Sequence, residues 1–341
     1  MFRQSQVFSL CLCASVVNTG AVENGAAVVA REFIFENAPF ASCHASTIVE
    51  TSGGLAAAWF GGSAEGKPDV GIWLARQSGQ GTAWSEPVQV AAPVQDGPAR
   101  FPCWNPVLFQ PRNGPLLLFY KAGPNPGNWW GVLRTSADGG KQWSEPRRLP
   151  EGFVGPVKNK PVQLPDGPLL CPSSTEDHGW RVFLEKTSDL GATWERIGPL
   201  NDGQTIGAIQ PSILAYPNGR MQVLCRDKNA KNLHEAWSED GGKTWSAMSD
   251  TVLPNPNSGT DAVMLQDGRA FLVYNHTRQG RSPLNTAISA DGKSWQPALV
   301  LEDQPGEYSY PAVIQARNGL VHITYTWKRQ KIRHVVLGIR H

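Results

Sequence analysis

The sequence is short of charge imbalance. Lys plus Arg number 31 against 29 Asp plus Glu, a formal net charge of +2 over 341 residues, so no bulk electrostatic footprint calls for nucleic acid or an anionic membrane. Long apolar runs are scarce as well. The run near the start, "VFSLCLCASVV" from Val7 to Val17, has about half the length that a bilayer-spanning helix needs, which excludes a membrane span of that kind. Cysteine is sparse: the six present are spaced in no zinc pattern. There is no carboxylate cluster that compels calcium and no glycine-rich phosphate loop, so neither metal nor cofactor is expected. No segment shows a sustained helical apolar period.

What the chain does have is turn punctuation and large aromatics, with 35 Gly, 27 Pro and 13 Trp. This mixture favours many short strands. The early apolar run follows Arg3 and leads to the small residues Thr19, Gly20 and Ala21, so residues 1–21 read as a secretion signal and the protein as secreted or periplasmic; a disordered tail is the alternative. Removal of that segment leaves Cys43, Cys103, Cys171 and Cys225. These four could pair in three ways or stay as single thiols buried in strands.

The chain repeats itself. "SADGGKQW" (Ser136 to Trp143) returns as "TSDLGATW" (Thr187 to Trp194), as "SEDGGKTW" (Ser238 to Trp245) and, one residue shorter, as "SADGKSW" (Ser289 to Trp295). Their tryptophans are 51, 51 and 50 residues apart, and a degenerate copy ending "GTAW" puts Trp84 another 59 upstream. In such a turn the Asp accepts from backbone amides, the Gly takes positive φ, and the indole packs on its own strands. The box is therefore structural, a device for holding strands together.

Before each box lies an apolar strand, a turn with Gly and a second apolar strand, as in "PVLFQPRNGPLLLFY", "PSILAYPNGRMQVLC" and "PAVIQARNGLVHITY"; six such pairs can be quoted. Units of about 50 residues with four strands each are the mark of a β-propeller. The fold class is thus all-β, a six-bladed propeller of four-stranded antiparallel blades, forming one domain over residues 30–341. The segment "REFIFE" (Arg31 to Glu36) is expected to supply the outer strand of the last blade, so that no sheet edge stays unpaired.

Repeat register then points to a site. Innermost strands line the central channel, and in five units the residue before the Pro (or Ala262) that opens this strand is Asn105, Lys160, Gln210, Asp261 or Tyr310; in the first unit His44 stands two positions before Ser46. Six hydrogen-bonding groups converging on one axis suggest a polar ligand pocket. A water-filled channel in which they satisfy one another is the bland alternative. Arg226, ending the second strand of unit four, and Arg281, before the third strand of unit five, fall at the same mouth. Two guanidinium groups there propose an anionic ligand, most simply a carboxylate.

These segments resemble the sialidase (neuraminidase) superfamily, whose six-bladed propellers carry such boxes, over nearly all of residues 30–341. "YPAVIQARNG" from Tyr310 resembles the segment that opens with the family's tyrosine nucleophile. "QPSILAYPNGRMQVLCR" is similar to the one in which a Glu precedes an arginine by 16 residues, and Arg281 before "PLNTAIS" resembles a further arginine of the carboxylate-binding triad. Asp69, 25 residues after His44, lies where the family keeps its acid/base aspartate. The pattern departs twice. "HAST" puts His44 in place of the first arginine, and Gln210 replaces the Glu that takes the tyrosine's proton. A phenol near its ordinary pKa of about 10 is a poor nucleophile at neutral pH without a base.

The resemblance implies a hydrolase that removes a terminal acidic sugar, sialic acid or a relative, from a glycan partner. In it Asp69 is the acid/base, Tyr310 the nucleophile, and Arg226 and Arg281 the carboxylate clamp; repeat register adds Gln210, Asn105, Lys160 and Asp261 as substrate-binding positions. His44 is the candidate replacement base. Two alternatives remain at this stage: β-elimination on a uronic-acid glycan, with His44 and Tyr310 as base and acid, and a non-catalytic glycan-binding propeller. Trp104, Trp129, Trp130 and Trp180 are divided between sugar stacking and blade packing.

Overall fold

The computed structural model describes residues 25–78 and 83–340. The proposed signal over residues 1–21 lies outside them. Among the described residues there is no helix, hence none long and apolar enough to cross a membrane.

Six four-stranded antiparallel sheets follow one another. Listed from the innermost strand outward, blade 1 is Ser42–Thr51, Gly54–Gly62, Gly71–Ser78 and Val88–Ala91. Blade 2 is Cys103–Phe109, Leu116–Ala122, Trp130–Ser136 and Arg147–Arg148; blade 3 is Val162–Gln163, Leu169–Thr175, Arg181–Thr187 and Glu195–Ile197. Blade 4 runs through Ala208–Ala215, Met221–Asp227, Asn232–Ser238 and Ser249–Pro254, and blade 5 through Asp261–Met264, Ala270–Tyr274, Leu284–Ser289 and Gln296–Glu302. Blade 6 takes Tyr308–Gln315, Val321–Trp327 and Lys331–Ile339 from the end of the chain and Ala26–Phe33 from its beginning. The ring therefore closes as expected, although the closing strand starts five residues earlier than "REFIFE" and leaves Ile34 and Phe35 to pack with Trp59.

The middle strands are almost wholly buried because both faces are covered by neighbouring blades: Leu116–Ala122 and Met221–Asp227 have no exposed position. Such strands read as continuous apolar runs. Each box does what its residues dictate. Asp138 Oδ1 accepts from Ser136 Oγ at 2.8 Å and from the amides of Lys141 and Gln142 at 2.9 Å, while Gly140, at φ 88°, donates its N–H to Ser136 Oγ at 2.8 Å. Trp194, Trp245 and Trp295 return their indole N–H to the box glycine carbonyl at 3.0–3.1 Å. All four boxes lie on turns between the third and fourth strands of a blade.

Cys43, Cys103, Cys171 and Cys225 are buried, unpaired thiols. Burial pushes Cys43 and Cys103 up to about 12, so they behave as small apolar groups.

Candidate functional site

Four innermost strands carry a bulge at the same place. Register slips between His44 and Thr47, Trp104 and Val107, Ile209 and Ser212, and Ser309 and Ala312. Within the bulges Ala45, Asn105, Gln210 and Tyr310 adopt positive φ, at 57°, 39°, 56° and 52°. A non-glycine residue in that region costs free energy and persists where the surroundings impose it. The bulge spoils the strict alternation of the strand and re-aims the side chain at one end of the channel.

Tyr310 occupies the centre of this end. Its hydroxyl oxygen accepts from Arg226 Nη1 at 2.8 Å and from Gln210 Nε2 at 3.0 Å. Arg226 Nη1 also reaches Gln210 Oε1 at 3.3 Å, and because a guanidinium has only donors this contact fixes the amide with its NH2 toward the tyrosine. Arg226 Nε donates to Asn257 Oδ1 at 2.7 Å, and the guanidinium lies 5.0 Å from the Trp180 ring. The arginine predicted from register is thus held from three sides.

His44 lies under the tyrosine, its ring 4.2 Å from the Tyr310 ring at a 49° tilt, and only 1% exposed. Its Nδ1 pairs with Thr326 Oγ1 at 2.9 Å. Burial, and then the charges of Arg329, Arg281, Arg226 and Lys158, hold this imidazole well below the usual histidine range, so it is neutral at physiological pH. It touches the face of Tyr310; the hydroxyl's own partners are Arg226 and Gln210.

Arg281 is 5.8 Å from the Tyr310 ring and shares Glu307 with Arg329: Glu307 Oε1 accepts from Arg281 Nη1 at 3.4 Å and from Arg329 Nε at 2.8 Å. Arg329 also pairs with Glu65. The side chains of Arg281, Arg329 and Glu307 are 23, 29 and 32% exposed, so the rim is open to solvent although Tyr310 is only 9% exposed. Arg329 was not legible from the sequence. It comes from the hairpin between the second and third strands of blade 6, outside the register positions, and its charge reaches His44, the residue that stands where the resemblance expects an arginine.

Other predicted residues are placed differently. Asn105 is buried in its bulge. Lys160 and Asp261 face each other, Nζ to Oδ2 at 2.8 Å, and Asp261 further accepts from Val313 N at 2.9 Å and Ser212 Oγ at 3.2 Å. These two satisfy one another inside the channel, as the bland alternative has it. Asp69 sits on the exposed loop after the second strand of blade 1, accepting from Ser63 N and Oγ, both at 2.8 Å. Slight burial works upward on its carboxyl but is outweighed by the Ser63 bonds, which hold it below the usual carboxylate range. Its loop neighbour Glu65 is the one in contact with the rim.

Glu176, just after the second strand of blade 3, is a further carboxyl that the sequence did not single out. Burial raises it above the usual range against the opposing pull of Arg226 and Lys228, and Trp180 donates to it. Trp104 is buried, its indole N–H on the Gly123 carbonyl at 2.8 Å, so it belongs to blade packing. Trp129 and Trp180 are half-buried at the same end of the ring.

Comparisons with known proteins agree with this architecture. A family described as a BNR repeat-like domain matches residues 53–323. A sialidase of Bacteroides fragilis is 23% identical over 216 residues, which is 57% of this chain and 39% of that protein; the chain thus spans well under half the length of that curated relative. Among solved structures, a Dyadobacter fermentans protein of unknown function superposes with a TM-score of 0.78 at 20% identity, over 93% of this chain and all of that one. The NanB sialidase of Streptococcus pneumoniae superposes at 0.74 with 13% identity, over 90% of this chain and 70% of that one. Trypanosoma rangeli sialidase gives 0.68 and 16%, over 87% and 55%. At such identities the structures show the fold alone. With the family's repeats matched over most of its length and six blades closed around a Tyr310–Arg226 pair, the chain belongs to the BNR repeat-like domain family as a divergent sialidase-like propeller.

Proposed function

We propose that the protein is a sialidase-type glycoside hydrolase that removes a terminal acidic sugar from a glycan outside the cytoplasm. The observation that carries this reading is the Tyr310 hydroxyl, held between Arg226 and Gln210 over a neutral His44. Negative charge that develops on the phenolic oxygen as its proton leaves is met there by a guanidinium and an amide N–H, both preorganised in a site shielded from water. His44 is the candidate base of this reading; it packs on the ring face of Tyr310 and is held well below the usual histidine range, so it takes that proton only when a bridging water or a shift of the ring brings it within reach of the hydroxyl. Tyr310 attacks the anomeric carbon and the bond to the departing glycan breaks as Asp69, freed from Ser63 and protonated from solvent, passes that proton to the leaving oxygen; water then releases the sugar from the tyrosine. Arg226 and Arg281 pair with the sugar carboxylate. Asp69 must turn out of its Ser63 contacts to do so, which its exposed loop permits.

Elimination at a uronic acid is a second reading, favoured by the same neutral His44 packed on Tyr310 with Gln210 in place of a carboxylate. One screen separates the two: sialosides, uronate oligomers and other capped glycans, with each released product identified by mass, for the wild type and Tyr310→Phe. Release of an intact acidic sugar that the variant abolishes supports hydrolysis; an unsaturated uronate supports elimination. Binding without turnover in either protein means a glycan-binding propeller.

A further inference from the structure

Blade 3 departs from the other five. Its innermost strand is reduced to Val162–Gln163, and the residues before it, "GPVKNK" from Gly155 to Lys160, run into the channel instead. Lys158 and Asn159 are both buried there. Lys158 Nζ donates to Asn159 Oδ1 at 2.8 Å, to the Thr260 carbonyl at 2.8 Å and to the Pro311 carbonyl. An ammonium has three N–H groups, and each has an acceptor from a different blade: blade 3 itself, the approach to blade 5, and blade 6. Asn159 Nδ2 lies 3.1 Å from the carbonyls of Gln210 and Pro211 and 2.8 Å from Ser212 Oγ, all on blade 4.

The two side chains therefore tie together four of the six blades at one level of the channel, and the level is informative. Pro311 directly follows Tyr310, and the Gln210 and Pro211 carbonyls belong to the other functional bulge. Both bulges hold a non-glycine residue at positive φ, a conformation that relaxes unless neighbouring groups impose it. The Lys158 ammonium also lies 5.8 Å from the Tyr310 ring. Gly259 completes the packing: a Cβ there would come within 3.0 Å of Gln210 Oε1, 3.2 Å of Lys158 Cε and 3.4 Å of Tyr310 Cδ2.

We infer that Lys158 and Asn159 are positioning residues, a clamp from blade 3 that holds the left-handed bulges of Gln210 and Tyr310 and so sets the Tyr310–Gln210–Arg226 contact. Neither touches the phenolic oxygen. They act through the backbone on either side of it, and the consequence for turnover rests on the hydrolase reading above, whereas the consequence for Tyr310 geometry does not.

The test uses the full chain with 3-fluorotyrosine placed at position 310 alone, read by fluorine NMR without any substrate. Lys158→Met and Asn159→Ala are compared with Leu301→Ala, a core change in the outer strand of blade 5 that controls for lost stability. The expected result is a fluorine line displaced or split in the two clamp variants and unchanged in the control. Lines that coincide with the wild type in both clamp variants overturn the inference. Should Lys158→Met not fold, Asn159→Ala and Gly259→Ala carry the same measurement. On any glycan that the wild type turns over, the clamp variants should lose about 100-fold in kcat with KM held within about twofold, as expected when only alignment for the reacting step is lost. A displaced line with unchanged kcat overturns the positioning role. A wild type that turns over no glycan defeats the hydrolase reading and leaves the fluorine result to decide the clamp.

Discussion

Arg226 Nη1 stands 2.8 Å from the hydroxyl oxygen of Tyr310, two residues 84 positions apart in sequence and two blades apart in the ring. The contact joins the end of a second strand to the bulge of an innermost strand. It also places a fixed positive charge on the atom proposed to react, with Gln210 on its other side.

Removal of that atom is the plainest test. Tyr310→Phe leaves the ring packed on His44 and Lys158 but deletes the acceptor of two hydrogen bonds. Turnover is expected to fall by about a thousandfold or more, with a small change in melting temperature. Retention of more than a tenth of wild-type kcat, measured under saturating substrate, assigns the chemistry to another residue.

Gln210→Glu restores a carboxylate beside the phenol. Its oxygens would accept from Tyr310 and from Arg226 within the space that the amide already fills. Hydrolysis of a sialoside is expected to rise by about tenfold or more, the low end of what a positioned base contributes. A fall instead would mean that the amide N–H aimed at Tyr310 is itself required.

Two carboxyl groups, Asp69 and Glu176, are candidates for the acid that the proposed hydrolysis needs. Loss of the acid harms substrates with a poor leaving group and spares those with a good one. Asp69→Ala is expected to cost about 100-fold on a natural glycosidic linkage and little on an activated aryl glycoside. The same split in Glu176→Gln but not in Asp69→Ala transfers the role to the half-buried Glu176.

Acid should weaken the ring closure. His322 Nδ1 meets His334 Nε2 at 3.0 Å, and His334 Nδ1 meets Glu32 Oε1 at 2.9 Å, linking the last blade's later strands to its N-terminal strand; the Trp84 indole N–H and Gln77 reach the same Glu32 oxygen. Burial, then the charge of His334, holds His322 down at about 4 from 6.5. The unfolded chain takes up that proton below about pH 6.5 while the folded one waits until about 4, so stability is lost as pH falls across that window. On Glu32, burial works upward but is outweighed by the His334 bond, which keeps its carboxyl below the usual range and extends the loss to lower pH. Unfolding free energies from urea titrations between pH 7 and 4 should fall in the wild type, by an amount on the order of 3 kcal/mol from His322 alone, and fall less in His322→Gln. Parallel curves would show that His322 is not the group that titrates.

The box aspartates should matter for stability and not for the site. Asp189 accepts from the amides of Ala192 and Thr193 and from both neighbouring threonine hydroxyls. Asp189→Ala is expected to lower the melting temperature by a few degrees while leaving the Tyr310 surroundings, and with them kcat/KM, unchanged. A loss of kcat/KM beyond about threefold at a temperature where the variant is fully folded would be incompatible with a purely structural box.

The sequence by itself determined the ring. Box spacing, the six strand pairs and the closing N-terminal strand are local patterns, repeated because each blade solves the same packing problem, so reading one reads all. Repeat register also pointed to Tyr310 and Gln210, since equivalent positions in a symmetric ring must face the same axis, and to their neighbours His44, one residue before the equivalent Ala45, and Arg226, at the end of a second strand. Only the tertiary structure decided which polar groups gather at the open rim around Tyr310 and which meet each other in the channel. Lys160 and Asp261 hold the same register as Gln210 and Tyr310 yet pair in the channel, because blade 3 gives up its inner strand and blade 5 lacks the bulge. Arg329, Glu176 and the Lys158–Asn159 clamp come from hairpins and irregular segments, where a residue's place is set by what surrounds it across the ring and not by its spacing along the chain.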